Sequence, residues 1–279
     1  MRAGARVLLM ATNPIKRGIL REMVESPLKV GPGHEYRVTS GGQEVLFIGF
    51  VAERWLQCAP DGPLPFDSSE AERAVAALAE GWSATVMHML ARGPLTFSEL
   101  HQSVDGIGRR ALRRHLAAMQ DAGQVEAQHR RSKEPVYSAT EWLRAGIAPL
   151  IASARVERSE PREDTAPIDA LDVEAGFLCS LSLLELPKEL SGSCRLGINL
   201  EEDESSPLTG VTAHVDQGVV TCEAGLDMKA GAWAAGSAGD WLDTVIEPDA
   251  KLVRTGGDRW LARALLDGLH KSLFGIRVA

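Results

Sequence analysis

The chain has 279 residues, 44 % apolar and 24 % charged, which is long enough for two or three domains that each bury a core. Its formal net charge of −8 excludes a protein that coats nucleic acid over its whole surface. The charge is uneven, however: residues 1–167 hold 21 Lys and Arg against 20 Asp and Glu, and residues 168–279 hold 9 against 18, so the first two thirds are free to carry a basic patch.

Residues 3–26 read as helical. Val7, Leu8, Ile15, Ile19, Leu20 and Met23 recur near helical spacing, and Asn13-Pro14 marks a break. The opening stretch lacks a long apolar core followed by a small-residue cleavage site, and no run approaches the ~18 apolar residues of a membrane span. GPGHEYRVTSGG has strand and turn character, residues 42–57 form an amphipathic helix, and the Pro/Asp/Ser-rich stretch 58–69 is a linker.

A second helical block starts at Glu70 and ends at Gly93-Pro94. TFSELHQSV is a short helix with Thr96 as N-cap and Glu99 three residues on, the capping-box pattern. DGIG is a turn, RRALRRHLAAMQDAG a helix stopped by Gly123, and QVEAQHRRSKEPVYSAT a two-stranded hairpin with a basic tip. WLRAGIAPLIASARVERS closes the block as a helix that Pro149 is expected to bend, and SEPREDTAP is a charged linker. Beyond it, 170–186 is helical and apolar, followed by strands in CRLGINLEE, LTGVTAHVD and GVVTCEAGL. A short helix (AGDWLDTVIE), a strand and turn (KLVRTGG) and a final amphipathic helix (DRWLARALLDGLHKSLFG) complete the chain.

The first two blocks share a pattern. GILREMVESPLKV (18–30) aligns with TVMHMLARGPLTF (85–97) at an offset of 67, and EYRVT (35–39) with VYSAT (136–140) at an offset of 101. The offset jumps by 34 residues, the span of the short helix, the turn, the arginine helix and most of the hairpin. The first block therefore reads as a partial copy without the part that would read DNA.

A helix–turn–helix needs a supporting helix, a tight turn and a recognition helix that enters the major groove. Residues 96–123 have that order, with Phe97, Leu100, Val104, Ile107, Leu112, Leu116 and Met119 facing inward. Arg109, Arg110, Arg113 and Arg114 then fall outward, suited to phosphates and base edges. The hairpin tip adds Arg130, Arg131 and Lys133. His101 and His115 are further candidates to flank DNA.

These residues resemble a known family. ARGPLTFSEL (91–100), GIGRRALRRHLAAMQDAGQVEA (106–127) and VYSAT (136–140) are similar to the winged-helix domain of HxlR-type and MarR-type transcriptional regulators. Gly108 stands where such domains commonly have a Ser or Thr cap. The resemblance implies double-stranded DNA as partner and a homodimer reading two half-sites, with helices 42–57 and 141–158 offering apolar faces for it.

The last third resembles the sterol carrier protein fold over AWAAGSAGDWLDTVIEPDAKLVRTGGDRWLARALLDGLHKSLFG (232–275), which implies strand, short helix, strand and last helix around an apolar tunnel. Trp233, Trp241, Leu242, Val245, Trp260, Leu261, Leu265 and Leu269 are the candidates to line it and to hold an apolar small-molecule effector.

The chain thus reads as α+β: a partial winged-helix copy at 1–57, a winged helix-turn-helix at 70–158, and a sterol-carrier-like sheet-plus-helices domain at 168–279. No HExxH, GxSxG, P-loop or Rossmann glycine pattern points to an enzyme or a cofactor. Cys58, Cys179, Cys194 and Cys222 have no zinc-ligand spacing, consistent with a reducing cytoplasmic setting, and Glu201–Glu204 reads as a solvated charge cluster. The expected function is a DNA-binding transcriptional regulator. The alternative is a lipid or small-molecule carrier whose winged helices make protein contacts only, and the arginine helix argues against it.

Overall fold

The computed structural model describes residues 24–25, 37–38, 40–80, 83–104, 106–129, 134–159, 170–199 and 208–275. The expected helix at the start of the chain, the hairpin tip with Arg130, Arg131 and Lys133, most of the second linker and the acidic run 201–204 lie outside them. At its end the first expected helix meets a difference, because Val24–Glu25 (β1) is extended and pairs antiparallel with Arg37–Val38 (β2).

Helix α1 (Ser40–Gln57) follows directly. Its inward residues Ile48, Val51, Ala52, Trp55 and Leu56 are buried at helical spacing. The linker then leads to α2 (Ser69–Ala79), capped by the Ser68 side chain, and to α3 (Ser83–Arg92), which ends at Gly93 with φ of 154°. A short strand β3 (Leu95–Thr96), α4 (Phe97–Ser103), α5 (Arg109–Asp121), β4 (Val125–Gln128) and β5 (Val136–Ala139) come next. The three strands form an antiparallel sheet in the order β3-β5-β4. β3 was not expected from the sequence, because two residues show no period.

Helices α6 (Glu141–Ala145) and α7 (Ile147–Ser159) replace the single closing helix. The break falls at Gly146, three residues before Pro149. Proline has no N–H to donate to the carbonyl four residues back, so the helix is interrupted there, and Pro149 sits harmlessly in the first turn of α7.

The last third holds α8 (Ala170–Ser180), a 3-10 turn at Leu181–Leu183, and a five-stranded sheet. Its strands are β6 (Gly192–Asn199), β7 (Leu208–Asp216), β8 (Val219–Ala224), β9 (Ala232–Gly236) and β10 (Arg254–Gly257), in the order β10-β9-β6-β7-β8. β6 and β9 run parallel and the other neighbours antiparallel. Helix α9 (Ala238–Ile246) connects β9 to β10, and α10 (Arg259–Leu273) follows β10. The chain turns into α10 at Gly257, with φ of 66°, and Asp258 caps the helix by accepting from the Trp260 and Leu261 N–H groups.

Two apolar clusters hold the molecule together. One joins α1 through α7 and takes in Leu242, Val245, Ile246, Leu273 and Phe274 from the last third. The other lies between the five-stranded sheet and helices α8 and α10, with Cys194, Leu196, Val211, Ala213, Phe177, Leu265 and Leu269 at its centre. Helix α8 packs on α3, so the last third is docked onto the helix that leads into the helix–turn–helix.

Candidate nucleic-acid interface

Thr96 caps α4 as its spacing predicts. Its hydroxyl accepts from the Glu99 N–H at 3.3 Å, and Glu99 accepts from the Thr96 N–H at 2.7 Å. The Glu99 carboxyl is held below the usual carboxylate range by those backbone and side-chain hydrogen bonds. The turn to α5 passes through Gly106 with φ of 77°, and Gly108 caps α5 without a side-chain bond. The N–H groups at the start of α5 thus have no N-cap side chain to accept from them.

On α5, Leu112, His115, Leu116 and Met119 are buried. Arg109, Arg110, Arg113 and Arg114 are exposed on the opposite face. Among the described residues none of the four has a carboxylate partner. Arg109 and Arg113 lie one turn apart and both stack on the ring of Phe97, with their guanidinium carbons 5.2 and 5.1 Å from its centre. Phe97 is thus more than the core residue its spacing suggests: it fixes the direction of two of the four arginines. Arg110 and Arg114 form a second row, one turn apart, with no such restraint.

His101 stacks beside Phe97 with ring centres 6.2 Å apart, at the edge of this surface. His115 does not flank it. The ring is buried on the inner face and its Nδ1 lies 2.8 Å from a Glu80 carboxylate oxygen, because position 115 falls in the same helical row as Leu112 and Met119.

The hairpin is tied to the supporting helix by Glu134, which accepts from the Ser98 N–H at 3.0 Å and from its hydroxyl at 2.9 Å. Sequence reasoning missed this contact. The one available signal was an acid next to a run of basic residues.

Of the residues expected to line a tunnel, the structure brings only some together. Trp241 is buried, meets Phe177 edge-on at 4.7 Å and donates from its indole to the Gly197 carbonyl at 2.8 Å. Leu261, Leu265 and Leu269 are buried in the same cluster. Trp233 sits on the other face of the sheet, since its neighbours Ala232 and Ala234 face inward, and its ring covers Gly256 on the adjacent strand. Trp260, in the first turn of α10, is 61 % exposed. Trp241, Leu242 and Val245 border a cavity of about 30 Å³ with Phe177, Ile151 and Ala154. That is room for about one water molecule, not for a sterol or an acyl chain.

Among the described residues no cluster of His, Cys, Asp or Glu has the makings of a metal site, and no helix is long and apolar enough to cross a membrane.

The stretch 77–152 matches the HxlR-like helix-turn-helix family. The match covers the supporting helix, the arginine helix, the hairpin and the start of the closing helices, and such a domain belongs to DNA-binding transcriptional regulators more than to enzymes. No curated protein and no solved structure matches the chain.

Proposed function

We propose that this chain is a sequence-reading transcriptional regulator in which α5 enters the major groove and the β4–β5 hairpin acts as the wing of a winged helix. The observation that carries this reading is the row of exposed arginines on α5 that lack carboxylate partners among the described residues. Four guanidinium groups within two helical turns repel one another, and an ordinary surface would intersperse acids among them. A polyanion relieves that repulsion. Arg109 and Arg113, held over Phe97, have the fixed direction that base-edge contacts require, and Arg110 and Arg114 have the freedom that suits phosphates. The uncapped start of α5 adds backbone N–H groups that favour a phosphate. Arg130, Arg131 and Lys133, which lie outside the described residues, add basic charge to the same stretch of sequence.

In this reading 70–158 is the DNA-binding domain and 168–279 is a sterol-carrier-like sheet domain that docks on it. The docking runs through Glu174 of α8, a buried carboxylate that accepts from Arg92 at 3.0 Å and lies 3.3 Å from the His88 ring nitrogen, both on α3. The same docking surface includes Arg155 and Arg158 of α7, paired with Glu247 and Asp243, so influence of the last domain on DNA affinity passes through this interface. The cavity beside Trp241 does not itself make room for an apolar effector.

Selection of bound fragments from random duplex, followed by fluorescence anisotropy on the selected site, tests the reading. Saturable, sequence-dependent binding that weakens steeply with salt is the expected result. Equal affinity for every duplex, or none, overturns it.

A further inference from the structure

The reading helix α5 has a second charged region, at its far end and of the opposite sign. An open groove of about 670 Å³ lies there, between the linker after α1, helix α2 and the last turn of α5. Pro60 and Leu64 of the linker, Ala74 and Ala77 of α2, and Ala118 and Ala122 of α5 line it, with Trp142 of α6 beside them. The sequence explains the space: where α2 and α5 meet they present alanines, whose methyl groups leave unfilled a gap that larger apolar side chains would close. The linker wall is held in place. The Leu64 N–H donates to the Leu56 carbonyl at 3.1 Å, and Pro60 packs so close to Gly123 that a Cβ there would stand 3.0 Å from its ring. The groove is therefore built before any ligand arrives. Its volume is that of a small-molecule site, where the cavity beside Trp241 holds about one water.

The charge around the groove is one-sided. Asp61, Glu70, Glu80 and Asp121 border it against one base, Arg73, which is already paired with Glu70 at 3.2 Å. Among the described residues neither Asp61 nor Asp121 has a hydrogen-bond or ion-pair partner. Two helix ends add to the imbalance. Glu80 is the C-cap of α2 and Asp121 the last residue of α5, and neither helix has a basic residue in its last turn. The carbonyl end of a helix carries partial negative charge and favours a cation, so an acid there is unfavourable until a cation joins it. Close by, the Gln124 side chain donates to the Ala74 carbonyl at 2.7 Å, while its own Oε1 is buried with no hydrogen-bond partner among the described residues. Carboxylates, terminal carbonyls and this amide oxygen are all acceptors, so the occupant they suit is positive and carries N–H donors. It is also largely carbon, to match the alanine, leucine and tryptophan walls, and among the described residues no group of His, Cys, Asp and Glu offers a bare metal ion a site.

We propose that this groove binds an organic cation, an ammonium or amidinium on an apolar body, and that its occupancy weakens the hold of α5 on DNA. The second clause rests on the DNA-binding reading given above. The link between groove and reading face is short. The Glu80 carboxylate lies 2.8 Å from Nδ1 of His115, on the inner side of α5 and next in sequence to Arg114. A cation drawn to Glu80 competes with His115 for that carboxylate and loosens α2 from the reading helix. Ligand and duplex then oppose each other, and each lowers the affinity of the other by the same factor.

The test uses dodecylammonium as probe, below its micelle-forming concentration, against dodecanoate, which has a chain of the same length and the opposite charge. Calorimetric titration of the full chain without DNA should show one saturable site for dodecylammonium and binding weaker by about tenfold or more for dodecanoate. Asp61→Asn with Asp121→Asn changes two exposed side chains that have no partner to lose, and should weaken dodecylammonium by about tenfold or more. Ala118→Phe should fill the groove and do the same. Glu185→Gln with Asp216→Asn makes the same change of net charge in the last third and should leave the affinity within about twofold. Equal binding of the two probes, or equal losses in the two charge variants, overturns the proposal, because the probe then lies on other apolar surface or answers to net charge alone. So does a groove variant that changes the mass of the chain in sedimentation, since a second copy then fills the groove. With a selected duplex, saturating dodecylammonium should lower the affinity of the parent chain by about fivefold or more, and the same concentration should act less on the Asp61→Asn, Asp121→Asn variant. An equal response in both places the probe's effect on the DNA itself and overturns the coupling. Probe binding by a chain that binds no duplex defeats the DNA-binding reading alone and upholds the groove as a cation site.

Discussion

Arginine plays opposite parts in two regions of this molecule. On α5 the four arginines are exposed and have no acid beside them among the described residues. At the docking surface and on the last third they are matched: Arg155 to Glu247, Arg158 to Asp243, and Arg263 to both Asp249 and Asp267. The hydrogen bonds that Arg263 donates to Asp249 and Asp267 raise its pKa above the ordinary arginine value. The residue type is the same. A paired arginine has its counter-charge inside the fold, and an unpaired row must find it outside. The comparison teaches that pairing, more than abundance, separates structural charge from charge kept for a partner.

The largest effect comes from reversing charge on the unpaired row. Arg113→Glu with Arg114→Glu should weaken duplex binding by at least ~100-fold, about 2.7 kcal/mol, in an anisotropy titration. Thermal unfolding should stay close to that of the parent chain. Arg155→Glu with Arg263→Glu changes net charge by the same amount and should leave affinity within roughly twofold, because screening removes charges farther than about 8–10 Å from the ligand. Equal losses in the two variants would reduce the arginine row to a contribution to net charge.

The next effect is on stability. Trp55 of α1 and Trp142 of α6 each donate an indole N–H to the other's main-chain carbonyl at 2.8 Å, and Trp142→Phe leaves the Trp55 carbonyl buried without its donor, at a cost of about 2 kcal/mol. The melting temperature should fall by roughly 4–8 °C. A change within experimental error would mean that the α1–α6 contact holds little.

A pH dependence follows from the buried thiols. Burial pushes Cys179 and Cys194 up to about 12 from an ordinary value of 9.0. Both groups are protonated in either state below pH 9. Above it the unfolded chain releases protons that the folded chain keeps, so stability is lost as pH climbs from about 9 towards 12. Chemical denaturation across that window should show the loss, and Cys179→Ala with Cys194→Ala should flatten it. Below pH 9, a thiol reagent should label exposed Cys58 first.

The smallest effect is at Arg263. Its pairs are about half exposed, so Arg263→Ala should cost only ~0–1 kcal/mol and leave DNA binding as it was. A larger loss would show that Asp249, in the turn before β10, and Asp267, on α10, repel once the guanidinium between them is gone.

The sequence by itself determined the local elements and the chemistry of the reading face. Thr96 and Glu99, the glycines at 93, 106 and 123, and the alternation of Leu112, Leu116 and Met119 with the arginines are short-range signals, and short-range sterics and capping bonds are enough to realise them. What only the tertiary structure decided were relations between distant segments. Phe97 became the platform of Arg109 and Arg113, Glu134 the anchor of the hairpin, and His115 an inner residue. The three tryptophans at 233, 241 and 260, close in sequence, went to one face of the sheet, its core and the solvent. Strand alternation and the first turn of a helix send near neighbours in opposite directions. The faces of α1 and α7 look available in the sequence, because an apolar stripe carries no mark of what will cover it. The fold laid Ile48, Val51, Ala52, Trp55 and Leu56 of α1 into the core beside α7 and left Leu46 and Phe50 of the same helix exposed, a choice that depends on which segments meet and not on the helix's own sequence.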